Sequence, residues 1–234
     1  MKKHILIIIL ASLTSYCGAQ DTYNWRASID AGVSFTELDA DVSKIQGSSY
    51  LVKPGITSSV NIEYNVYDNL VVGTGIRFTQ RNYKFERTRA YAFHTNYTNN
   101  FVDIPFTVGY YLFHNPYKEK GFWTKVQTGI IFEYFTRMHT KGSYANKITP
   151  DEDNPDYTDW ENTYDFSSND NHLRRSLWAA ETGIQIGYSF GKIDVFIGYD
   201  YQYGLSHIYK EQWHGNSKER RNSSVVRIGA AYKF

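Results

Sequence analysis

The sequence has little cysteine and no charge excess. Cys17 is the only cysteine, so a chain cleaved after Ala19 has no thiol, no disulfide and no cysteine-based metal site. The 25 basic and 24 acidic residues nearly cancel, which gives no indication of a nucleic acid partner. These two shortages exclude disulfide-stabilised scaffolds and nucleic-acid-binding surfaces.

Long apolar runs and catalytic motifs are also missing. No segment after the N-terminus has the roughly eighteen consecutive apolar residues of a membrane helix. No nucleophile elbow, phosphate-binding loop or dinucleotide fingerprint occurs. The sequence therefore predicts a chain that is not an enzyme, has no catalytic residues and has no cofactor.

The N-terminus has the three parts of a secretion signal. Lys2 and Lys3 are basic, residues 5–13 are apolar, and Cys17-Gly18-Ala19 is a small-residue cleavage site. We predict a cleaved signal peptide at residues 1–19 and a mature domain at residues 20–234. Lipidation of Cys17 is the alternative, but the bulky Tyr16 stands where that signal needs a small residue.

The C-terminal segment alternates with a period of two up to its last residue. Val226, Ile228, Ala230, Tyr232 and Phe234 share one face, and the opposite face is small or charged. The mean hydropathy of −0.51, with 17% aromatic residues, suits strands of which only one face is apolar. A soluble β-sandwich would alternate as well, so alternation alone leaves both folds open.

Eight such segments occur, and the lengths of their connections alternate. The segments are about residues 23–36, 55–66, 70–81, 101–113, 122–137, 176–190, 193–205 and 221–234. Short turns at 67–69, 114–121 and 191–192 alternate with long polar connections at 37–53, 82–100, 138–175 and 206–220. Short periplasmic turns and long external loops are typical of barrels in the bacterial outer membrane, whereas a sandwich has no reason for this regularity. We predict an all-β, eight-stranded antiparallel up-and-down transmembrane barrel with both termini in the periplasm.

Aromatic residues cluster near both predicted membrane surfaces, as amphipathic rings do at the two interfaces. The predicted periplasmic set is Trp25, Tyr64, Tyr67, Tyr110, Phe122, Trp123, Tyr188, Phe190, Tyr232 and Phe234. The predicted outer set is Phe35, Phe78, Tyr134, Trp178, Tyr201 and Tyr203.

Charged residues at the inward positions form the first candidate site. The basic set is Arg26, Arg77, Arg81, Lys125, Arg137, Arg227 and Lys233, and the acidic set is Asp30, Glu63, Asp103, Glu133, Glu181, Asp194 and Asp200. An eight-stranded barrel has an interior that side chains fill, and buried unpaired charges are costly. The equal sets predict a lumen filled with ion pairs; a narrow charged channel or proton path is the alternative.

The predicted external loops carry two further candidate groups. The histidines are His94, His139, His172, His207 and His214, without a metal-binding spacing. The third loop, residues 138–172, is acidic through Asp151, Glu152, Asp153, Asp156, Asp159, Glu161, Asp165 and Asp170. Binding of Ca²⁺ by that loop is one reading. Attraction to the basic second and fourth loops, which carry Lys84, Arg87, Arg89, Lys210, Lys218, Arg220 and Arg221, is the other. No metal ligand is assigned.

Three short motifs resemble the PorT-like outer-membrane β-barrel family. Phe101-Val102-Asp103-Ile104-Pro105 is similar to its fourth-strand signature, Tyr203-Gly204-Leu205-Ser206 to the end of its seventh strand, and Ala231-Tyr232-Lys233-Phe234 to its closing Tyr-x-Phe. The resemblance covers the mature chain and implies a small barrel that assists type IX protein secretion. By its own chemistry Pro105 cannot donate a ladder hydrogen bond and predicts a bulge or a break in pairing, with Asp103 beside it facing inward.

These observations predict an integral outer-membrane protein with a structural or transport-accessory role. Its expected partners are outer-membrane lipid and secretion-machinery or periplasmic proteins. The alternatives are a surface binding or adhesion protein that uses the external loops, a narrow solute channel, and an enzyme with a Ser/His or Asp/His constellation at a strand end.

Overall fold

The computed structural model describes residues 23–40, 47–87, 93–145, 157–167, 172–210 and 219–234, and the described part is almost entirely strand. The strands are β1 (Trp25–Asp39), β2 (Ser48–Tyr67), β3 (Leu70–Gln80), β4 (Tyr83–Arg87), β5 (Phe93–Phe113), β6 (Gly121–Ala145), β7 (Tyr157–Thr163), β8 (Ser176–Ser189), β9 (Ile193–Gly204) and β10 (Arg220–Lys233). The described residues include no helix long and apolar enough to cross a membrane.

Eight of these strands close into a ring. The antiparallel order is β1, β2, β3, β5, β6, β8, β9 and β10, and β10 pairs back with β1 from Arg26↔Lys233 to Asp39↔Arg220. β4 continues β3 past residues 81–82, because it also pairs with β2 and β5, and β7 extends the sheet from the far end of β6. The predicted eight-stranded up-and-down barrel is confirmed.

Exposure alternates along each strand as the sequence predicts. In β9, Val195, Ile197 and Tyr199 are exposed, while Asp194 and Asp200 are fully buried. Because successive side chains in a strand point to opposite faces, each strand presents an apolar face outward and a polar face to the lumen.

Several strands are longer than predicted. β2 begins at Ser48, β5 begins at Phe93, and β6 continues to Ala145 and pairs with β7. The assignment of residues 37–53, 82–100 and 138–175 wholly to loops is therefore wrong, since β1 also continues to Asp39. Beyond the lipid neither face of a strand must be apolar, so these segments carry no alternation of hydropathy although their backbones are paired.

A β-bulge in β6 overturns one inward assignment. Asn100 pairs with Arg137 while Phe101 pairs with Phe135, so Thr136 is an extra residue, and its hydroxyl donates to the Asn100 carbonyl over 2.8 Å. The extra residue shifts the alternation by one position. Arg137 is consequently exposed on the outer surface instead of buried in the lumen.

Pro105 interrupts one ladder, as predicted. β3 and β5 are paired at Thr74↔Phe106 and at Arg77↔Asp103, but not between these positions. On its other side Pro105 remains opposite Ile131 of β6. Because Pro105 has no amide hydrogen, the ladder between β3 and β5 is interrupted over this short stretch. The register of the two strands is the same on both sides of the interruption.

Some predicted features lie outside the described residues. They are the signal peptide at residues 1–19, His214, Arg89, Lys218 and the acidic residues Asp151, Glu152, Asp153, Asp156 and Asp170.

Candidate functional site

The lumen contains the charged network that the sequence predicts, with one exchange. Every predicted inward charge except Arg137 is buried. Arg221, assigned by the sequence to the fourth loop, is buried in the lumen instead. Arg221 lies an even number of residues before Arg227 on β10, so the two side chains share one face of the strand. This alternation is the signal that would have predicted the position of Arg221 in the lumen. The exchange of Arg137 for Arg221 keeps the buried basic and acidic sets equal in size.

Glu63 and Asp194 organise the lumen near the chain termini. The Glu63 carboxylate accepts hydrogen bonds from the Tyr111 hydroxyl at 2.7 Å and the Tyr117 hydroxyl at 3.0 Å, and from the Lys125 ammonium. Asp194 lies 2.9 Å from Arg26 Nε and 3.0 Å from Lys233 Nζ. Each carboxylate therefore has a buried cation and further hydrogen-bond donors.

Arg227 joins two carboxylates in the middle of the lumen. Its Nε donates to Asp200 over 2.6 Å and its Nη1 to Asp30 over 3.0 Å. Gln127 donates a second hydrogen bond to Asp200, and Asn61 donates one to Asp30, both over 2.9 Å. This cluster connects strands from opposite sides of the barrel, since Asp30 belongs to β1 and Gln127 to β6.

Two arginines organise the end beneath the extended strands. Arg77 donates to Glu181 over 2.6 Å, and Gln202 donates to the same carboxylate over 2.9 Å. Arg81 contacts Asp103 at 3.0 Å and Glu133 at 2.9 Å. The ion pairs thus run from one end of the lumen to the other.

The lumen is closed at both ends by aromatic and apolar side chains. At the terminal end Tyr111, Tyr117, Trp123 and Phe196 pack together. Trp123, which the sequence includes in the periplasmic girdle, faces the lumen and is buried. At the other end lies a cluster that we call the mouth plug, composed of Leu38, Tyr83, Phe101, Phe135, Leu173, Leu177 and Ile208.

Stacked rings and cations stabilise the mouth plug. The rings of Phe101 and Phe135 are parallel, with centroids 4.4 Å apart. The Arg221 guanidinium lies 5.0 Å and 4.7 Å from the two ring centroids, and that of Arg81 lies 4.9 Å from Phe101. Cation–π contacts of this kind stabilise desolvated guanidinium groups.

The free space within the network is small. A cavity of about 30 Å³ is lined by Arg26, Arg77, Lys125, Gln185 and Arg227, among others. Such a volume has room for a water molecule. Among the described residues the arrangement can hold the strands together electrostatically, and this cavity is too small for a larger solute.

The third and fourth connections meet above the mouth plug. The His172 and Tyr209 rings stack with centroids 5.7 Å apart, and Arg174 Nε donates to the Tyr209 carbonyl over 3.1 Å. Burial raises the pKa of the Tyr50 and Tyr209 hydroxyls above the usual range, and nearby Tyr83 and Glu219 raise both further. Rings and backbone bonds thus contribute to this contact.

The loop histidines that the structure describes do not assemble into a metal site. His139 Nε2 lies 3.2 Å from Glu161, and His172 contacts Tyr164 and Tyr209. In the part of the chain that the structure describes, no three His, Cys, Asp or Glu side chains are grouped to hold a metal ion.

A family model described as outer membrane protein beta-barrel domain matches residues 19–210. No curated protein is similar in sequence to the chain.

Among solved structures, Neisserial surface protein A is 12% identical with a TM-score of 0.47, covering 93% of this chain and 100% of that one. The N-terminal β-barrel domain of Pseudomonas aeruginosa OprF is 13% identical with a TM-score of 0.40, covering 88% and 97%. Yersinia pestis Ail, in complex with the heparin analogue sucrose octasulfate, is 13% identical with a TM-score of 0.40, covering 90% and 99%.

Proposed function

Because the chain belongs to the outer membrane protein beta-barrel domain family, we propose that it is a closed, non-enzymatic barrel with a structural or transport-accessory role in the bacterial outer membrane. One observation carries this proposal. Buried ion pairs fill the lumen between two ends that are closed by rings. A barrel without an open lumen acts through what it presents at its two rims and to the lipid.

Conductance tests the closed lumen. Wild-type protein in planar bilayers is expected to pass almost no ions, since side chains fill an eight-stranded barrel. The double substitution Arg77→Ala with Glu181→Ala removes both members of one buried pair and should produce small currents, which serves as the positive control. Stable, large single-channel currents from the wild type would instead favour the narrow-channel alternative.

The proposed orientation has the termini and short turns in the periplasm, after cleavage of residues 1–19. Strands β1 and β10 end side by side, with Trp25 N donating to the Phe234 carbonyl over 3.1 Å. The short turns lie at the same end of the barrel, whereas β6 and β7 extend beyond the opposite end.

Single-cysteine labelling tests this orientation, because cleavage at Ala19 leaves a chain without cysteine. A membrane-impermeant maleimide should label Lys141→Cys on intact cells. It should label Lys120→Cys, in the turn between β5 and β6, only after the outer membrane has been permeabilised. The reverse pattern would invert the proposed orientation.

The accessory role follows from the resemblance to PorT-like barrels, which implies assistance to type IX protein secretion. Native complexes captured from membranes through a tagged barrel are expected to contain a periplasmic or membrane component of a secretion machinery. Recovery of the barrel with outer-membrane lipid alone would argue against this role.

A surface-binding role is the second candidate, and the strand extensions favour it. β2, β4, β5, β6 and β7 form a paired wall on one side of the mouth. Loss of an external ligand after shortening of the connection between β6 and β7 would support this role, since the ladder of the wall itself remains intact.

A further inference from the structure

Three cations lie on the outer surface of the barrel, on the wall and beside it, just beyond the lipid-facing rings. They are Lys53 at the end of the β2 extension, Arg137 at the β6 bulge and Arg175 immediately before β8. Arg137 and Arg175 are exposed, and Lys53 is half-buried. We call these three residues the rim patch.

The rim patch begins where the apolar band ends. Tyr134 is 37% exposed on the outer surface, and the Arg175 guanidinium lies 4.9 Å from its ring centroid. On the neighbouring strand Trp178 packs edge-on against Phe132, with centroids 5.2 Å apart. Arg137 follows Tyr134 by three residues, which is about 10 Å along a strand. The cations therefore lie at the height at which lipid headgroups succeed hydrocarbon.

The bulge is what turns Arg137 towards this surface. With regular alternation Arg137 would share the parity of the lumen-facing Glu133, and the extra residue Thr136 reverses it. Bulges commonly re-aim a side chain at a functional surface. The irregularity of the ladder thus places an exposed arginine on the outer surface, beside the outermost aromatic ring.

The charge of the rim patch is not neutralised within the described residues. None of Lys53, Arg137 and Arg175 forms an ion pair there, and Lys53 Nζ donates to the neutral Asn96 amide oxygen at 3.3 Å. Two acids of the same face have other neighbours, since Glu86 lies 2.8 Å from Lys84 and Glu161 lies 3.2 Å from His139 and opposite Lys141. The strand residues between the three cations, Asn96, Thr98 and Asn100, are polar and uncharged.

We propose that the rim patch binds the phosphate groups of the glycolipid in the outer leaflet of the outer membrane. The planar guanidinium groups of arginine match phosphate oxygens in pairs, and the asparagine amides between them can donate further hydrogen bonds. The patch spans four interstrand spacings, or roughly 20 Å, so it can contact more than one phosphate. This inference rests on the proposed orientation, in which the wall is external.

Binding of purified lipopolysaccharide to the detergent-solubilised barrel, followed by native mass spectrometry, tests the proposal. The triple substitution Lys53→Gln, Arg137→Gln and Arg175→Gln should weaken binding by about fivefold for each cation removed. The matched control is Lys118→Gln, Lys120→Gln and Lys192→Gln at the opposite rim, which should bind as the wild type does. Arg137→Lys with Arg175→Lys keeps the charge but loses the paired guanidinium hydrogen bonds, so its affinity should lie between that of the wild type and that of the triple glutamine variant.

The probes separate the sources of phosphate. Lipopolysaccharide stripped of phosphate should bind the wild type as weakly as intact lipopolysaccharide binds the triple glutamine variant. Equal affinity of the triple variant and the wild type for intact lipopolysaccharide would overturn the proposal. If the wild type bound phosphatidylglycerol as tightly as it binds intact lipopolysaccharide, the assignment of the ligand to glycolipid would be overturned. These binding measurements use purified protein and do not depend on its orientation in the membrane. An error in the proposed orientation would therefore be detected only by the maleimide labelling on cells.

Discussion

Arg77 and Arg137 differ in what surrounds their charge. Arg77 is 2% exposed and bonds to Glu181, whose carboxylate is equally buried. Arg137 points outward from the bulge and is exposed. Because a buried charge depends on its partner and an exposed one does not, the two arginines should respond differently to truncation.

We expect Arg77→Ala to lower the free energy of unfolding by about 3–5 kcal/mol, because it leaves Glu181 buried without its cation. Arg137→Ala should change it by less than about 0.5 kcal/mol, as is usual for exposed positions. Urea unfolding in lipid vesicles, monitored by tryptophan fluorescence, measures both. Similar losses for the two variants would contradict the lumen described here.

The raised pKa of Tyr50 predicts how the stability of the mouth region changes at alkaline pH. Burial raises the pKa of its hydroxyl above the ordinary value, so the folded chain keeps a proton that the unfolded chain loses near pH 10. The stabilising contribution is complete below about pH 10 and is lost as the pH rises further.

Difference absorbance of tyrosinate between wild type and Tyr50→Phe should show Tyr50 ionising later than exposed tyrosines. The phenylalanine variant should also lose less stability than the wild type between pH 9 and 11. If Tyr50 titrates together with the exposed tyrosines, the packing around Tyr83 is looser than described.

At the scale of the strand, the depth of a residue in the membrane decides the cost of a charge. Ile184 lies on the outward face in the middle of β8, whereas Phe190 lies in the turn that follows β8. An arginine at the midplane must be buried in hydrocarbon, but one near the interface can reach the headgroups.

Ile184→Arg is accordingly expected to destabilise the barrel by about 2–4 kcal/mol, and Phe190→Arg by about 0–1 kcal/mol. Unfolding in vesicles, compared with the heat-dependent mobility shift on gels, reports both changes. A tolerated Ile184→Arg would mean that this face of β8 does not contact lipid.

At the scale of the whole molecule, ring closure and the mouth plug make the barrel one cooperative unit. β1 and β10 pair over almost their whole lengths, and the plug combines residues from β1, β4, β5, β6 and β8 with Leu173 and Ile208. The sequence predicts that, above the mouth plug, opposite charges hold the acidic third loop against the second and fourth loops. The contacts described there include the β6–β7 ladder, the stacking of His172 on Tyr209 and the hydrogen bond from Arg174 to the Tyr209 carbonyl, beside one ion contact between His139 and Glu161.

Ladder and ring contacts predict that proteolysis within residues 157–167 changes little between low and high salt, since salt screens exposed ion pairs and not backbone hydrogen bonds. Limited proteolysis of the barrel in vesicles at two ionic strengths measures this. Cleavage that rises steeply with salt would instead restore the electrostatic attraction predicted from the sequence.

The sequence alone determined the eight alternating segments, the inward set of charges and the interruption at Pro105. These follow from a period of two that each strand carries locally, because lipid outside and polar packing inside select residues position by position. Arg227 and Asp200 could be assigned to the lumen from their own strands, although nothing in the sequence showed that they contact each other at 2.6 Å.

Only the tertiary structure decided where that local pattern fails. The bulge at Thr136 depends on which residues of β5 lie opposite it. It moves the side chain of Arg137 from the lumen to the outer surface. The extensions of β5 and β6 are held by ladder hydrogen bonds beyond the lipid, where no apolar environment imposes alternation. Pairing between distant strands is a property of the closed sheet and not of any one segment, so the sequence pattern could predict the wall of the barrel but not its rim.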